Sequence, residues 1–268
     1  MESVGFVGAY LHGSLAAGGW FPPKSDVDLL VVVERALDPV ARERLALTCV
    51  DVAAARPTLG MLELTVVRAA AAGAGHFPMP LEFRFREEDV ASILAGTADC
   101  TEPAAELELA VHVRALREAG VSLAGPAVED VFAPVPQACF LQAVEEDVSW
   151  ILADEHILDT PVYGVLNLCR ALWVVRRPGD RSTPGKAEAG HWAVEILPAH
   201  HRRLVLDTLD AHRDSRWVAP EHRRTAGRVW DAGALLSFRD DMRRRWMGGE
   251  ATIRPRLELR RHPEPGRE

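Results

Sequence analysis

No run in this sequence reaches the roughly 20 uninterrupted apolar residues that a membrane-spanning helix needs. The first residues also lack the basic-then-apolar layout of a secretion signal. The expectation is a cytoplasmic chain with no membrane partner. Cysteine is sparse and scattered. Cys49, Cys100, Cys139 and Cys169 form no CxxC pair and no paired histidine spacing accompanies them, which excludes a zinc cluster or a disulfide framework and predicts buried or neutral thiols. An excess of base is missing too: 31 Lys and Arg stand against 39 Asp and Glu, a formal net charge of -8. That balance argues against nucleic acid as a partner and suits a cationic one. No internal repeat is present. What remains is ordinary globular material, 268 residues with 48% hydrophobic and 26% charged, enough for two modest domains.

The chain changes texture along its length. "FVGAYLHG", "DLLVVV" and "GMLELTVV", the last around residue 64, are short β-branched runs closed by Gly or a charge and predict strands. Between the last two, residues 39–55 have the spacing and the Ala, Leu, Arg and Glu content of a helix. "AAAAGAGHFPMP" at residues 69–80 reads as a loop. From Glu102 onward the apolar residues recur three and four apart, as in "PAAELELAVHVRALREAG" and "YGVLNLCRALWVVRR", which predicts helices. The expected fold class is therefore α+β: a mixed domain over residues 1–100, an all-helical domain over 101–250, and a flexible polar, Pro-containing tail over 251–268.

The stretch "LHGSLAAGGWFPPKSDVDLLVVV", residues 11–33, carries the chemistry. Asp26 and Asp28, one residue apart on an extended chain, point to one side. Such a pair at the mouth of a buried strand repels unless a divalent cation neutralises it, and an oxygen-only ligand set favours Mg²⁺, which also coordinates nucleotide phosphates. The Gly13-Ser14 turn has the matching chemistry, because glycine lets a phosphate approach the backbone while exposed N–H groups and the Ser hydroxyl hold it. Glu63, mid-strand between Leu62 and Leu64, is costly to bury unpaired, and a metal or a proton-transfer role offsets that cost. Taken alone, each feature is common in turns and strand ends. The ordered set of strand, Gly-Ser, Asp-x-Asp, strand, helix and strand Glu is not.

This set resembles the nucleotidyltransferase superfamily of the DNA polymerase β type. Within it the chain is similar to the aminoglycoside 3''/9 adenylyltransferases that modify streptomycin and spectinomycin, through "LELTVV", "SLAGPAVEDVFAPVP", "YGVLNLCRALW" and "STPGKAEAGHWAVEILP", in order over most of its length. The resemblance implies a polymerase β-like transferase domain followed by a helical bundle, with ATP and a cationic antibiotic bound between them in a monomer. It implies Asp26 and Asp28 on Mg²⁺, Glu63 as general base and further acid at the metal, and Gly13, Ser14, Ser25, Arg170 and Lys186 at the nucleotide. Arg170 has support of its own. It is the one cation in an apolar helix and needs an anionic partner, either ATP or a salt bridge with Asp159 or Glu155. Lys186 at an expected helix start is as ordinary for an exposed lysine as for a phosphate ligand.

Other residues read more plainly. Trp150, Trp173, Trp192 and Trp230 are spaced as core or interface residues, and "MRRRW" at 242–246 is a basic helix end. His12, in place of the Tyr often found before the Gly-Ser, reads as a strand-end residue. The acids of "VEEDVSW" and "LADEHILD" form a mainly solvated face, from which some could receive an aminocyclitol's ammonium groups. One departure concerns the substrate: streptomycin-modifying relatives carry Gly-Glu-Trp after the third strand, whereas "PLEFRFREEDV" here is shorter and has no Trp, nor has the acid near the start of the "YGVLNLCR" helix a counterpart. Spectinomycin, or another hydroxylated cation, becomes at least as good an expectation. The competing functions are transfer to a different small molecule or a protein side chain, and a non-catalytic nucleotide-binding module. Three retained buried acids argue against the last.

Overall fold

The computed structural model describes residues 4–22, 25–55, 60–98, 104–177 and 182–247. Cys100 and the expected tail at 251–268 lie outside them. Six strands form one sheet: β1 Phe6–His12, β2 Val27–Val33, β3 Leu62–Arg68, β4 Met79–Arg86, β5 Ala104–Glu106 and β6 Val121–Ala124. Their order is β5-β4-β3-β2-β1-β6. Only the β2–β3 pair is parallel, as a crossover helix between them requires; the other pairs are antiparallel.

A one-turn helix α1, Gly13–Ala16, follows β1, and the crossover is α2, Pro39–Ala55. The pleat sends alternate residues to opposite layers. Val33, Val66 and Phe83 meet Ala46, Cys49 and Ala53 of α2 on one face. Tyr10, Leu30, Val32 and Val67 occupy the other. The expected loop at 69–80 is a helix and the start of a strand: α3, Ala69–Ala74, precedes β4. The alanine run has the highest helix propensity of any residue type, and Gly75, at φ 61°, ends it in the left-handed conformation. A short α4, Val90–Leu94, follows β4.

Helix throughout from Glu102 is corrected as well. The sheet takes both its edge strands, β5 and β6, from beyond that point, on either side of α5, Leu109–Ala119. Leu109, Val113 and Leu116 of α5 close the Tyr10 face. These strands are three and four residues long and mostly exposed, so no alternating pattern marks them.

The rest is helical: α6 Val128–Val131, α7 Gln137–Leu152, α8 His156–Asp159, α9 Pro161–Arg176, α10 Lys186–Ile196, α11 Ala199–Arg213 and α12 Ala232–Met247, with a 3-10 segment Pro220–Thr225 before α12. Helix α9 runs through the centre, burying Val165, Leu166, Leu168, Cys169 and Leu172 against Ile151, Val205, Leu209 and Phe238. At Gly190 a Cβ would lie 2.7 Å from Leu209, so glycine lets α10 approach α11 closely. Trp173 is buried, and Trp192 and Trp230 pack partly buried against this core. Trp150, in contrast, is 44% exposed. Of "MRRRW", Arg245 pairs with Asp241 of its own helix and Arg243 donates to the Leu152 carbonyl. Cys49 and Cys169 are buried, and burial raises their thiols to about 11 and 12. No helix among the described residues is long and apolar enough to cross a membrane.

Contacts between the sheet side and the helices include the following. Leu107 and Ala110 pack on Ala143 of α7. The Phe21 ring lies edge-on to His212 of α11, 5.4 Å between centroids. The Thr183 N–H donates to the Glu118 carboxylate of α5 at 2.8 Å, tying the segment before α10 to the sheet side.

Candidate active site

Register builds the first wall. His12 stands opposite Asp28, Asp28 opposite Glu63, and Glu63 opposite Arg86. Residues directly across a ladder project to the same face, so these four form one row across four strands, at the end of the face that α5 covers. Asp28 is the second residue of β2, and Glu63 is the second of β3 rather than mid-strand. Asp26 precedes β2. Gly13, at φ +67°, carries no side chain for a direct reason: a Cβ there would lie 1.9 Å from Asp28 Oδ2. Ser14 follows in the same one-turn helix. Ser25 is buried, and its Oγ accepts the Phe21 N–H at 3.0 Å while its own N–H returns to the Phe21 carbonyl. It closes the loop that delivers Asp26.

The charges of this row are unbalanced. Asp28 is pushed up to about 7, by burial first and then by Asp26 and Glu63. Glu63 is also pushed up to about 7, by burial and by Asp26, against the pull of Arg86 and Arg84. Next to them is a hollow with about 280 Å³ of empty space, partly open to solvent, into which His12, Arg84, Glu108 and His112 also project. Glu108 lies 3.4 Å from Arg84 and 3.7 Å from His112. Burial alone would raise Glu108, but His112, Arg84 and Arg86 outweigh it and hold its carboxyl low. His12 is not a bare strand end. Its ring lies 5.2 Å from that of His112, and burial with this neighbour lowers it to about 3, so it stays neutral.

The helical half supplies the facing wall. Arg170 of α9 donates through Nε to the Pro184 carbonyl at 2.9 Å and through Nη1 to Asn167 at 3.2 Å. Its acidic neighbours are Asp147 and Glu118, not the Asp159 or Glu155 weighed from the sequence. Lys186, the first residue of α10, feels Asp26, Asp28 and Asp147 together and sits 5.5 Å from the Tyr163 ring centre. Burial and Arg170 lower its ammonium. The Tyr163 hydroxyl donates to Asp147 at 2.6 Å, and burial raises the Asp147 carboxyl against that bond. The exposed Trp150 stacks on His156 and meets Tyr163 edge-on. From the 3-10 segment, Arg223 bonds Asp26 at 2.5 Å.

Asp26, Asp28, Glu63, Arg170 and Lys186 are thus brought to one gap, with Gly13 beside Asp28. Sequence reasoning missed Glu108, His112, Arg84, Arg86, Tyr163 and Arg223, and left Asp147 undistinguished within its acidic run. None of them belongs to a local pattern, although the alternation of Arg84 and Arg86 with apolar residues in "LEFRFR" placed both on one strand face.

Asp28 and Glu63, with no hydrogen-bond donor among the described residues, and Asp26, held at one oxygen by Arg223, offer the oxygen ligands that suit a hard divalent cation. Among the described residues no three His, Cys, Asp or Glu side chains stand close enough together to hold a metal ion by themselves; two carboxylates suffice for Mg²⁺ where water and phosphate oxygens supply the other ligands.

A mixed sheet bearing an Asp-x-Asp strand start, a glycine pressed against the second Asp and a Glu on the neighbouring parallel strand, completed by a helical half, is the arrangement expected from the resemblance to nucleotidyltransferases of the polymerase β type. The comparisons narrow the class. Residues 130–228 match the family described as aminoglycoside adenylyltransferase, C-terminal domain. The aminoglycoside (3'') (9) adenylyltransferases of Klebsiella pneumoniae and Escherichia coli are each 31% identical over 207 residues, 76% of this chain and 76% of theirs. A Staphylococcus aureus spectinomycin 9-adenylyltransferase is 27% identical over 217 residues, 79% of this chain and 80% of its own. The fold matches the crystal structure of spectinomycin adenyltransferase AAD(9) from Enterococcus faecialis with ATP and spectinomycin, at a TM-score of 0.70 and 19% identity, over 88% of this chain and 92% of that one. The chain belongs to the aminoglycoside adenylyltransferase family, and it is a nucleotidyltransferase.

Proposed function

We propose that the protein transfers AMP from ATP, with Mg²⁺, to a hydroxyl of a cationic aminocyclitol antibiotic, spectinomycin before streptomycin, as a cytoplasmic monomer. The observation that carries this reading is Lys186, with Arg170 beside it, facing Asp26 and Asp28 from the helices, while Glu63 stands opposite Asp28 on the neighbouring strand.

In this reading Asp26 and Asp28 hold the metal, which when bound neutralises the phosphates and the charge that builds at the α-phosphorus during in-line displacement. Lys186 and Arg170 take the triphosphate from the other side. Gly13 leaves room for the Asp28 carboxylate, and the N–H groups and Ser14 hydroxyl of this turn offer donors to a phosphate. Glu63 removes the proton from the acceptor hydroxyl; a carboxyl poised near 7 is well matched to that task at neutral pH. Arg86, opposite Glu63, opposes a further rise. Asp147 and Glu108, both within reach of the gap's electrostatics, offer negative charge to the substrate's ammonium groups, and Tyr163 orients Asp147. Spectinomycin takes precedence because the segment that carries Trp in streptomycin-modifying relatives is short here, and because one relative carries that antibiotic in its name.

The experiment is a panel of ATP, GTP, CTP and UTP against spectinomycin, streptomycin and other aminoglycosides, with and without Mg²⁺. Pyrophosphate release is followed, and the product is checked by mass for one added AMP. Magnesium-dependent release with ATP and spectinomycin is expected. Nucleotide binding without release for any acceptor would instead support a non-catalytic module.

A further inference from the structure

The contact between Arg223 and Asp26 joins residues 197 apart in sequence, across the gap between the two halves. The segment that delivers Arg223 is anchored on the helical side: Trp230 Nε1 donates to the Thr225 carbonyl at 2.8 Å, and Arg228 donates to the Asp207 carbonyl at 3.2 Å and pairs with Asp214 at 3.5 Å. A second crossing pair, Arg224 with Glu88 at 3.4 Å, is exposed and involves none of the three acids. The Arg223 and Asp26 side chains are 23% and 31% exposed, so the pair is partly desolvated. Among the described residues no guanidinium is hydrogen-bonded to Asp28 or Glu63, the two other acids, although Arg86 stands opposite Glu63 and pulls on it. One Asp26 oxygen is therefore already taken by a cation.

We propose that Arg223 is a phosphate-binding residue that stands in for the metal on Asp26 while the enzyme is empty, and passes to the triphosphate when metal and nucleotide enter together. This rests on the functional reading above. A divalent ion outcompetes one guanidinium for a group of carboxylates. Displacing Arg223 breaks a charge-assisted bond between partly desolvated groups, which costs affinity. The triphosphate offers the guanidinium a new anion, whose oxygens the planar fork matches two at a time. Metal alone then binds poorly, nucleotide alone meets unneutralised acids, and the two bind with positive coupling. Arg223 accounts for part of that coupling.

The test uses the full chain with Mn²⁺ as the metal probe and α,β-methylene-ATP as the nucleotide. Free Mn²⁺ is followed by electron paramagnetic resonance without nucleotide, and analogue binding by calorimetry at saturating Mn²⁺. R223A is expected to bind Mn²⁺ alone several-fold more tightly than wild type and the analogue ~10-fold or more weakly, the loss of a charge-assisted bond. These are opposite signs from one substitution. R223K should restore part of the nucleotide affinity. R224A breaks the other crossing pair and should move neither. R223Q carries the same expectations as R223A should alanine unfold the chain. Mn²⁺ affinity that is unchanged or weaker in R223A, or analogue affinity that is unchanged, overturns the proposal and returns the pair to a structural clasp. Wild type failing to bind Mn²⁺ and analogue would overturn the functional reading itself, and this proposal with it.

Discussion

Replacing Asp28 by asparagine should make the metal-free protein more heat-stable while abolishing its reaction. Asp28 is held against Gly13 and between Asp26 and Glu63, and no side-chain hydrogen bond from the described residues relieves it. Its carboxyl stands at about 7 in the fold against 3.8 when free. The folded state thus binds the extra proton, and stability contributed by this group falls as pH rises from about 4 to 7, then stays level. At 1.36 kcal/mol per tenfold change in proton affinity, full ionisation costs the fold on the order of 4 kcal/mol. Part of that repulsion is shared with Asp26 and Glu63 and returns with them, and a buried amide has a cost of its own. A gain of about 2 kcal/mol is a sound expectation, or roughly 4–8 °C in Tm for a chain of this size. The assay is thermal unfolding of both proteins in chelator-treated buffer from pH 5 to 8.5. The gap in Tm should be smallest at acid pH, widen toward 7 and then flatten. Adding Mg²⁺ should raise the wild-type Tm and leave Asp28→Asn behind. A lower Tm for the variant at pH 8, or a gap independent of pH, would refute the view that Asp28 is kept at the expense of stability for a cation.

Three further outcomes follow from the same geometry. Glu63→Gln keeps volume and reach, so nucleotide with Mg²⁺ should still bind while single-turnover transfer drops by ~10²–10⁴-fold, the range of a lost general base; near-wild-type transfer removes Glu63 from the mechanism, and a parallel loss of nucleotide affinity makes it a metal ligand instead. Gly13→Ala places a Cβ where Asp28 Oδ2 now is and strains a backbone at φ +67°; transfer should fall by at least an order of magnitude with the spectroscopic fold retained, and full activity would show that the Asp28 carboxylate is free to turn away. Arg170→Ala should weaken ATP binding by ~10–100-fold in calorimetry, more than it weakens binding of the antibiotic; equal losses for both ligands would reduce Arg170 to its structural bond with the Pro184 carbonyl.

The parts of this site that could be read from the chain alone are those whose geometry is local. Strand alternation puts Asp26 and Asp28 on one side whatever surrounds them, and a β-branched run such as "DLLVVV" declares its own strand. Where local signals were weak or overridden, the reading failed. The alanine run at Ala69–Ala74 was obscured by its glycines and prolines. Strands β5 and β6 are short, exposed and paired at sheet edges, so their strand state is a property of the partner that binds them. Trp150 has the spacing of a core residue, yet its partners on the surface are His156 and Tyr163.

What the sequence by itself determined is the kind of chemistry: the carboxylates, the glycine beside them and the strands that carry them. Tertiary structure alone decided what faces those groups. Register set His12, Asp28, Glu63 and Arg86 in one row, and packing of α9 and α10 brought Lys186, with Arg170 next to it, within electrostatic reach of Asp28. Asp147 was singled out from its neighbours only by Tyr163 and Arg170, and Arg223 acquired a partner 197 residues away. Such pairings cost chain entropy to close and are repaid by the packing of the whole core. They therefore depend on where entire helices come to rest, a quantity that no window of the sequence contains.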